Sequence, residues 1–184
     1  MKTFSLLLTA LVSAGVAAAG GDETPTSAPK TQAVVVGTQE TIKLRQGWFE
    51  EKGGSHLLLL SNLEEPSWKK IQPGETLLVV VVHGEVQPGN FTTKGSGEAF
   101  RKLLERGELD PTQAFSALLY TNTSKSEPVF LMQILDQALK GKHLLSSGAV
   151  TVRGSPELGR ALLADFALVF DGVSVAGRVS VRSE

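Results

Sequence analysis

This sequence predicts a mainly β domain, an antiparallel β-sandwich of about seven to nine strands with one or two helices packed on it. Three observations carry that prediction. Leu77-Leu78-Val79-Val80-Val81-Val82 is an unbroken apolar run of strand length. Near the C-terminus, Phe166, Leu168 and Phe170 share one strand face, Asp171-Gly172 is a favoured two-residue turn, and Val173, Val175, Val179 and Val181 alternate with Ser174, Ala176, Arg178 and Ser180. Between these regions, Phe100, Leu103 and Leu104 form a helical stripe.

The chain opens on a different pattern. Lys2, the apolar stretch Phe4 to Val16 and the small residues Ala17-Ala18-Ala19 match the charged start, short centre and cleavage site of a secretory signal peptide over residues 1–19. The centre is too short, and too rich in Ala, Gly and Ser, for a spanning helix, and no second stretch reaches that length. Residues 20–31, with Pro25 and Pro29 among small polar residues, read as a flexible linker, which leaves 32–184 as one β-rich domain.

Ala33-Val34-Val35-Val36 and Thr41 to Arg45 read as strands around Gly37. Trp48-Phe49-Glu50, Gly53-Gly54 and His56 to Ser61 read as a hairpin, and Asn62 to Lys70 as an exposed loop carrying Trp68. The run Thr76 to His83 is apolar at both parities, so both of its faces must be buried. One face meets the other sheet; the second needs a helix, a long loop or another copy of the chain, making a homo-oligomer. Gly84 to Gly97 reads as an ordinary loop. Ser96 to Gly107 reads as a helix, with Ser96 as its cap and Gly107 as its stop. Ser126 to Gly141 supports two readings: the stripe Leu131, Ile134, Leu135, Ala138, Leu139 favours a helix, whereas Gln113 to Tyr120 and Val129 to Leu135 also fit a long hairpin. Gly148 to Arg153 and Ala164 to Phe170 are strands.

Composition excludes several classes. With 18 basic against 19 acidic residues, no sign dominates, which argues against a nucleic-acid partner. The absence of cysteine removes disulfides and the lipid-bearing Cys of an anchored bacterial lipoprotein. The three histidines, His56, His83 and His143, belong to no metal-binding pattern, and neither a phosphate loop nor a G-x-S-x-G elbow occurs, so the sequence calls for no metal, no cofactor and no catalytic residue. The candidate binding residues are Trp68, an aromatic on a polar loop, and His56 and His83, which sit at strand ends and would approach one another if those strands pair. His143, beside Lys140 and Lys142, reads as solvated. Asn90-Phe91-Thr92 and Asn122-Thr123-Ser124 match the glycan-acceptor pattern.

The C-terminal stretch, with Ser147, Gly148, Val150, Val152, Phe166, Leu168, Phe170, Asp171, Gly172, Val175, Gly177, Val179 and Val181, resembles the end of a loose group of uncharacterised exported bacterial β-sandwich proteins. The resemblance covers about a fifth of the chain, implies that fold and that compartment, and carries no catalytic residues over. The expectation is a non-catalytic protein of a bacterial envelope or periplasm, or one released outside the cell, acting by binding a protein or small-molecule ligand or by structural interaction. The alternatives are a lipocalin-like barrel around a small apolar ligand, which requires a cavity, and a hydrolase, which requires His56 or His83 bonded to a serine or carboxylate in a cleft.

Overall fold

The computed structural model describes residues 31–37, 41–52, 55–64, 69–83, 86–95, 97–108, 110, 112–153 and 161–182. The expected signal peptide, the linker up to residue 30, Trp68 and the helix cap Ser96 lie outside them.

Twelve strands and two helices follow one another in these residues: β1 Gln32–Val36, β2 Ile42–Leu44, β3 Gln46–Lys52, β4 Ser55–Ser61, β5 Lys70–Ile71, β6 Thr76–His83, β7 Gly89–Lys94, α1 Gly97–Arg106, β8 Phe115–Thr121, β9 Val129–Phe130, α2 Leu131–Leu139, β10 Ser147–Val152, β11 Ala161–Phe170 and β12 Val173–Arg182. A six-stranded sheet in the order β2-β1-β12-β11-β10-β7 packs on a four-stranded sheet β3-β4-β6-β8, and β5 with β9 forms a two-stranded ribbon. Every strand pair is antiparallel. The expected sandwich is therefore present, with ten strands in its two sheets. Two separate sheets replace the closed barrel of the alternative reading.

The doubly apolar strand behaves as its composition requires. In β6, Leu78 and Val80 join the core between the sheets, with Leu58, Leu60, Phe166 and Val175. Leu77, Val79 and Val81 join a second core beneath the helices, with Phe100, Leu103, Leu104, Leu131, Ile134 and Leu135. The molecule thus has three layers (sheet, sheet, helices) and β6 belongs to both interfaces. Because the helices cover that face, the reason for a second copy of the chain falls away.

α1 ends where Gly107 takes φ +69° and donates its N–H to the Leu103 carbonyl at 2.9 Å. Over residues 126–141 the helical stripe prevails: the hairpin reading fails because Leu131 onward turns helical, leaving only Val129–Phe130 extended, and these pair with β5 and not β8. α2 stops in a Schellman motif, Gly141 N–H to Ala138 O at 2.8 Å and Lys142 N–H to Gln137 O at 3.0 Å, with Gly141 at φ +81°.

Three loop assignments change. Gly84 to Gly97 contains β7, whose alternation is masked by short polar residues and which pairs with β10 from Ser147↔Lys94 to Val152↔Gly89. Lys70, placed in a loop by its polar neighbours, begins β5. Thr31, placed at the end of the linker, is buried, and its hydroxyl donates to the Ser180 carbonyl at 3.0 Å. The C-terminal hairpin has the expected register, Phe170↔Val173, but only Gly172 takes a positive φ, +71°, so its turn is not the type I′ form, which needs positive φ at both positions.

After α2 the chain crosses between the sheets. Leu119 N–H donates to His143 O and Leu145 N–H to Ala117 O, both at 2.9 Å, which lines the segment along the outer edge of β8. Ser146 then donates to Val169 O at 2.8 Å in the other sheet. This crossing closes one side of the sandwich with the buried Leu145.

Candidate functional site

The inward residues of both sheets leave an apolar cavity of about 90 Å³ near the end where β6 finishes and β8 begins. Its deep walls are buried side chains, among them Leu58, Val80, Ala164, Phe166, Leu168 and Val179. Its mouth is framed by residues that remain half-buried: Val82 and His83 of β6, Ala114 before β8, Phe91 of β7 and Val150 of β10. β7 and β8 are the terminal strands of their respective sheets, so the mouth opens between two sheet edges. Beside it, the Thr93 hydroxyl donates to the Gln113 side-chain oxygen and ties one edge to the other.

His83 is the polar group of this wall, and its bonding defines what it can do. Its Nδ1 accepts the backbone N–H of Asp110 at 3.2 Å. A neutral imidazole that accepts at Nδ1 carries its proton on Nε2, which donates to the Ser116 hydroxyl. Burial removes the hydration an imidazolium needs and lowers the His83 pKa, while the Asp110 charge opposes that shift. The ring is therefore neutral near pH 7.

Ser116, His83 and Asp110 resemble a triad by composition and fail it by polarity. A serine nucleophile must give its proton to an unprotonated Nε2, with a carboxylate holding Nδ1–H. Here Nε2 is the donor, Nδ1 faces a backbone N–H, and Ser116 is fully buried. The Asp110 carboxylate is turned to Thr112, accepting its N–H at 3.0 Å and its hydroxyl at 2.6 Å. Those bonds, more than Lys102 at 3.6 Å, hold its pKa below the usual carboxylate range.

The other expected residues do not converge here. β4 and β6 do pair, but the register sets His56 opposite Val82 and Ser55 opposite His83. Alternation then sends the two imidazoles to opposite faces of the sheet. His56 is buried in a stack on Phe49, ring centroids 5.6 Å apart and 18° from parallel. His143 is half-buried and not solvated: it bonds Gln137 Oε1 at 2.9 Å and meets the Tyr120 ring edge-on at 5.2 Å. Among the described residues no group of three or more His, Cys, Asp or Glu side chains could hold a metal, and no helix is long and apolar enough to cross a membrane.

A second polar cluster lies at the β6 entry. Glu75 is fully buried; its carboxylate accepts the Gln72 N–H at 2.8 Å and the Ser61 hydroxyl at 3.1 Å. Asn122, also buried, donates to the carbonyls of Ile71 and Glu127, both at 2.9 Å. Asn62 accepts Thr76 N–H at 2.7 Å and donates to Gly74 O at 3.0 Å. Each member is satisfied by backbone or a neighbour, so the cluster fastens three loops to the sheet and presents nothing to a ligand. It also removes Asn122 as a glycan acceptor, because its amide is buried and engaged, whereas Asn90 is exposed on β7.

Sequence reasoning found His83 but not Ser116, Asp110, Phe91 or Ala164. Those residues carry no catalytic or ligand-binding motif; they come near one another only through the packing of the two sheets. No family model, no curated protein and no solved structure matches this chain.

Proposed function

We propose that this chain is an exported, non-catalytic binding protein of a bacterial envelope or periplasm, and that its ligand enters the apolar cavity at the end of the sandwich. The observation that carries this reading is the cavity itself: walls contributed by both sheets, an open mouth, and a polar wall group whose two ring nitrogens are already engaged. A site of this kind selects apolar groups and holds no free base or nucleophile. Export rests on residues 1–19 and on the C-terminal resemblance to exported β-sandwich proteins.

Xenon is the probe of the binding site. Dissolved under pressure, it is expected to shift the methyl resonances of Val80, Ala164 and Leu168 and to leave those of the helix-covered core, such as Leu103 and Ile134, in place. Unmoved cavity methyls would sink the reading. Its non-catalytic part is tested with nitrophenyl acetate and butyrate: turnover that Ser116→Ala abolishes would make the protein a hydrolase. For export, a reporter enzyme active only outside the cytoplasm, fused after residue 30, should be active, and deletion of residues 2–16 should silence it.

A further inference from the structure

We infer that the outer face of the six-stranded sheet, turned away from the cavity, is a docking surface for a linear acidic polysaccharide. Its mark is a diagonal row of cations. The strand registers align Lys43 with Val34 and Ala176, and Arg178 stands two residues further along β12. Arg178 aligns with Asp165 and Thr151, and Arg153 follows two residues beyond in the same direction, its N–H on the Leu163 carbonyl. Each step crosses two strands and two residues, about 12 Å at spacings of about 4.8 Å and 3.3 Å. Lys43, Arg178 and Arg153, all exposed, thus form an even row about 24 Å long. The six strands contain a single acid, Asp165, in a chain with 19 acidic residues.

That acid orders the row without cancelling it. The Asp165 carboxylate accepts Arg153 Nε–H at 2.6 Å and Arg178 Nε–H at 2.7 Å, with Arg178 Nη2 more distant at 3.4 Å. Both guanidiniums are held through their inner nitrogens, and both side chains remain more than half exposed. Their outer N–H groups are left for an anion, and such a planar fork suits a carboxylate or sulfate. Two cations against one anion keep the pair positive, and Lys43 extends that charge along the diagonal. A polymer whose anions repeat along its length matches a row of this kind.

The rest of the face narrows the partner. Ala149, Ala167 and Ala176 keep the surface low, and the exposed Gln32, Asn90 and Thr92 offer hydrogen bonds to sugar hydroxyls. Among the described residues no aromatic side chain lies on this face, so it lacks the anchors of a protein interface and the stacking platform of a nucleic-acid strand. Its exposed valines, Val36 and Val169, share the row on the far side of the alanines from the arginines. The apolar and basic groups are therefore set apart, where a membrane-surface site brings them together.

The test is polygalacturonate, a linear chain of carboxylated sugars, titrated into the purified protein and followed by methyl resonances. Those of Ala167 and Ala176 should shift, while those of Leu103 and Ile134 beneath the helices stay in place. Raising salt from about 50 to about 200 mM should weaken binding at least threefold. Lys43→Gln and Arg178→Gln should each weaken it roughly two- to fivefold. Lys94→Gln makes the same charge change on the same face but off the diagonal, and should leave affinity within about a factor of 1.5. Lys43→Gln breaks no ion pair of the sheet, so it carries the test if Arg178→Gln disturbs the native spectrum. Absence of binding, equal losses from Lys43→Gln and Lys94→Gln, or equal affinity for the methyl-esterified polymer would overturn the inference. So would tighter binding of phosphatidylglycerol vesicles or of polyglutamate through the same residues, which would give the face to a membrane or to an acidic protein. None of these outcomes bears on the cavity, which xenon reports separately.

Discussion

Glu75 concentrates the electrostatic cost of this fold in one side chain. Burial pushes its carboxyl above the ordinary value, and the donated Gln72 N–H and Ser61 hydroxyl pull it partway back. A folded-state pKa above the unfolded one means that the native state holds a proton the unfolded chain has released. The stability it confers is full below the unfolded value of about 4.5 and is lost as pH rises through the folded value. His83 runs the opposite way: its folded pKa is lowered, so stability is lost as pH falls below its ordinary 6.5 toward the folded value. Urea unfolding at pH 4 to 7 separates them, because the difference between wild type and Glu75→Gln should shrink in wild type's favour toward acid and grow against it toward neutrality. Glu75→Gln can keep both contacts, accepting Gln72 N–H and donating to Ser61, and should change stability by about 1 kcal/mol or less at pH 6. Glu75→Ala strands both donors and should cost about 2–3 kcal/mol. None of this was legible in the sequence, where Glu75 is one acid beside a strand; the burial comes from loops that only the tertiary fold brings together.

Among the elements, β6 was the most legible and β7 the least. Six apolar residues with no polar parity required two covers, and the stripe Phe100, Leu103, Leu104 identified one of them. β7 gave no such signal, because Asn90, Thr92 and Lys94 face solvent and Gly89, Phe91 and Thr93 make a weak inward set. The second helix was visible only as one of two readings, since its apolar stripe includes Leu and Ile residues that also suit a strand. The cavity was not legible at all, being a property of the spacing between sheets. The helical cover predicts that Phe100→Ala costs about 3–5 kcal/mol in denaturant unfolding, as a fully buried aromatic should. Gly177 tests the pairing of β1 with β12 inside the six-stranded sheet. A Cβ there would lie 2.4 Å from the Ala33 Cα and the Gln32 carbonyl, both backbone atoms that cannot turn aside, so Gly177→Ala should cost about 1–3 kcal/mol or more. Gly172→Ala meets no atom within 4 Å and should cost only the ~1–2 kcal/mol of its positive φ.

For the whole molecule, a strand shared by two cores couples the three layers. Helices, central sheet and outer sheet should unfold together, with coincident transitions by far-ultraviolet circular dichroism and by the methyl resonances of Ile134 and Val175, one from each core. Early loss of the Ile134 signal would mean that the helical layer is a separable unit. The crossing over residues 142–146 adds to the coupling, since it bonds to both sheets and occupies the edge of β8 that another chain would otherwise find. The order of the outer sheet has a further consequence, for how the chain is made. β1, the first strand described, sits between β2 and β12, and its partner across Gln32↔Arg178 is the last. During synthesis the earliest strand must wait, half paired, until the final ten-residue strand has left the ribosome. The outer sheet therefore cannot close until β12 has been made, and the polypeptide stays threadable up to that point, the condition that the export proposed above requires.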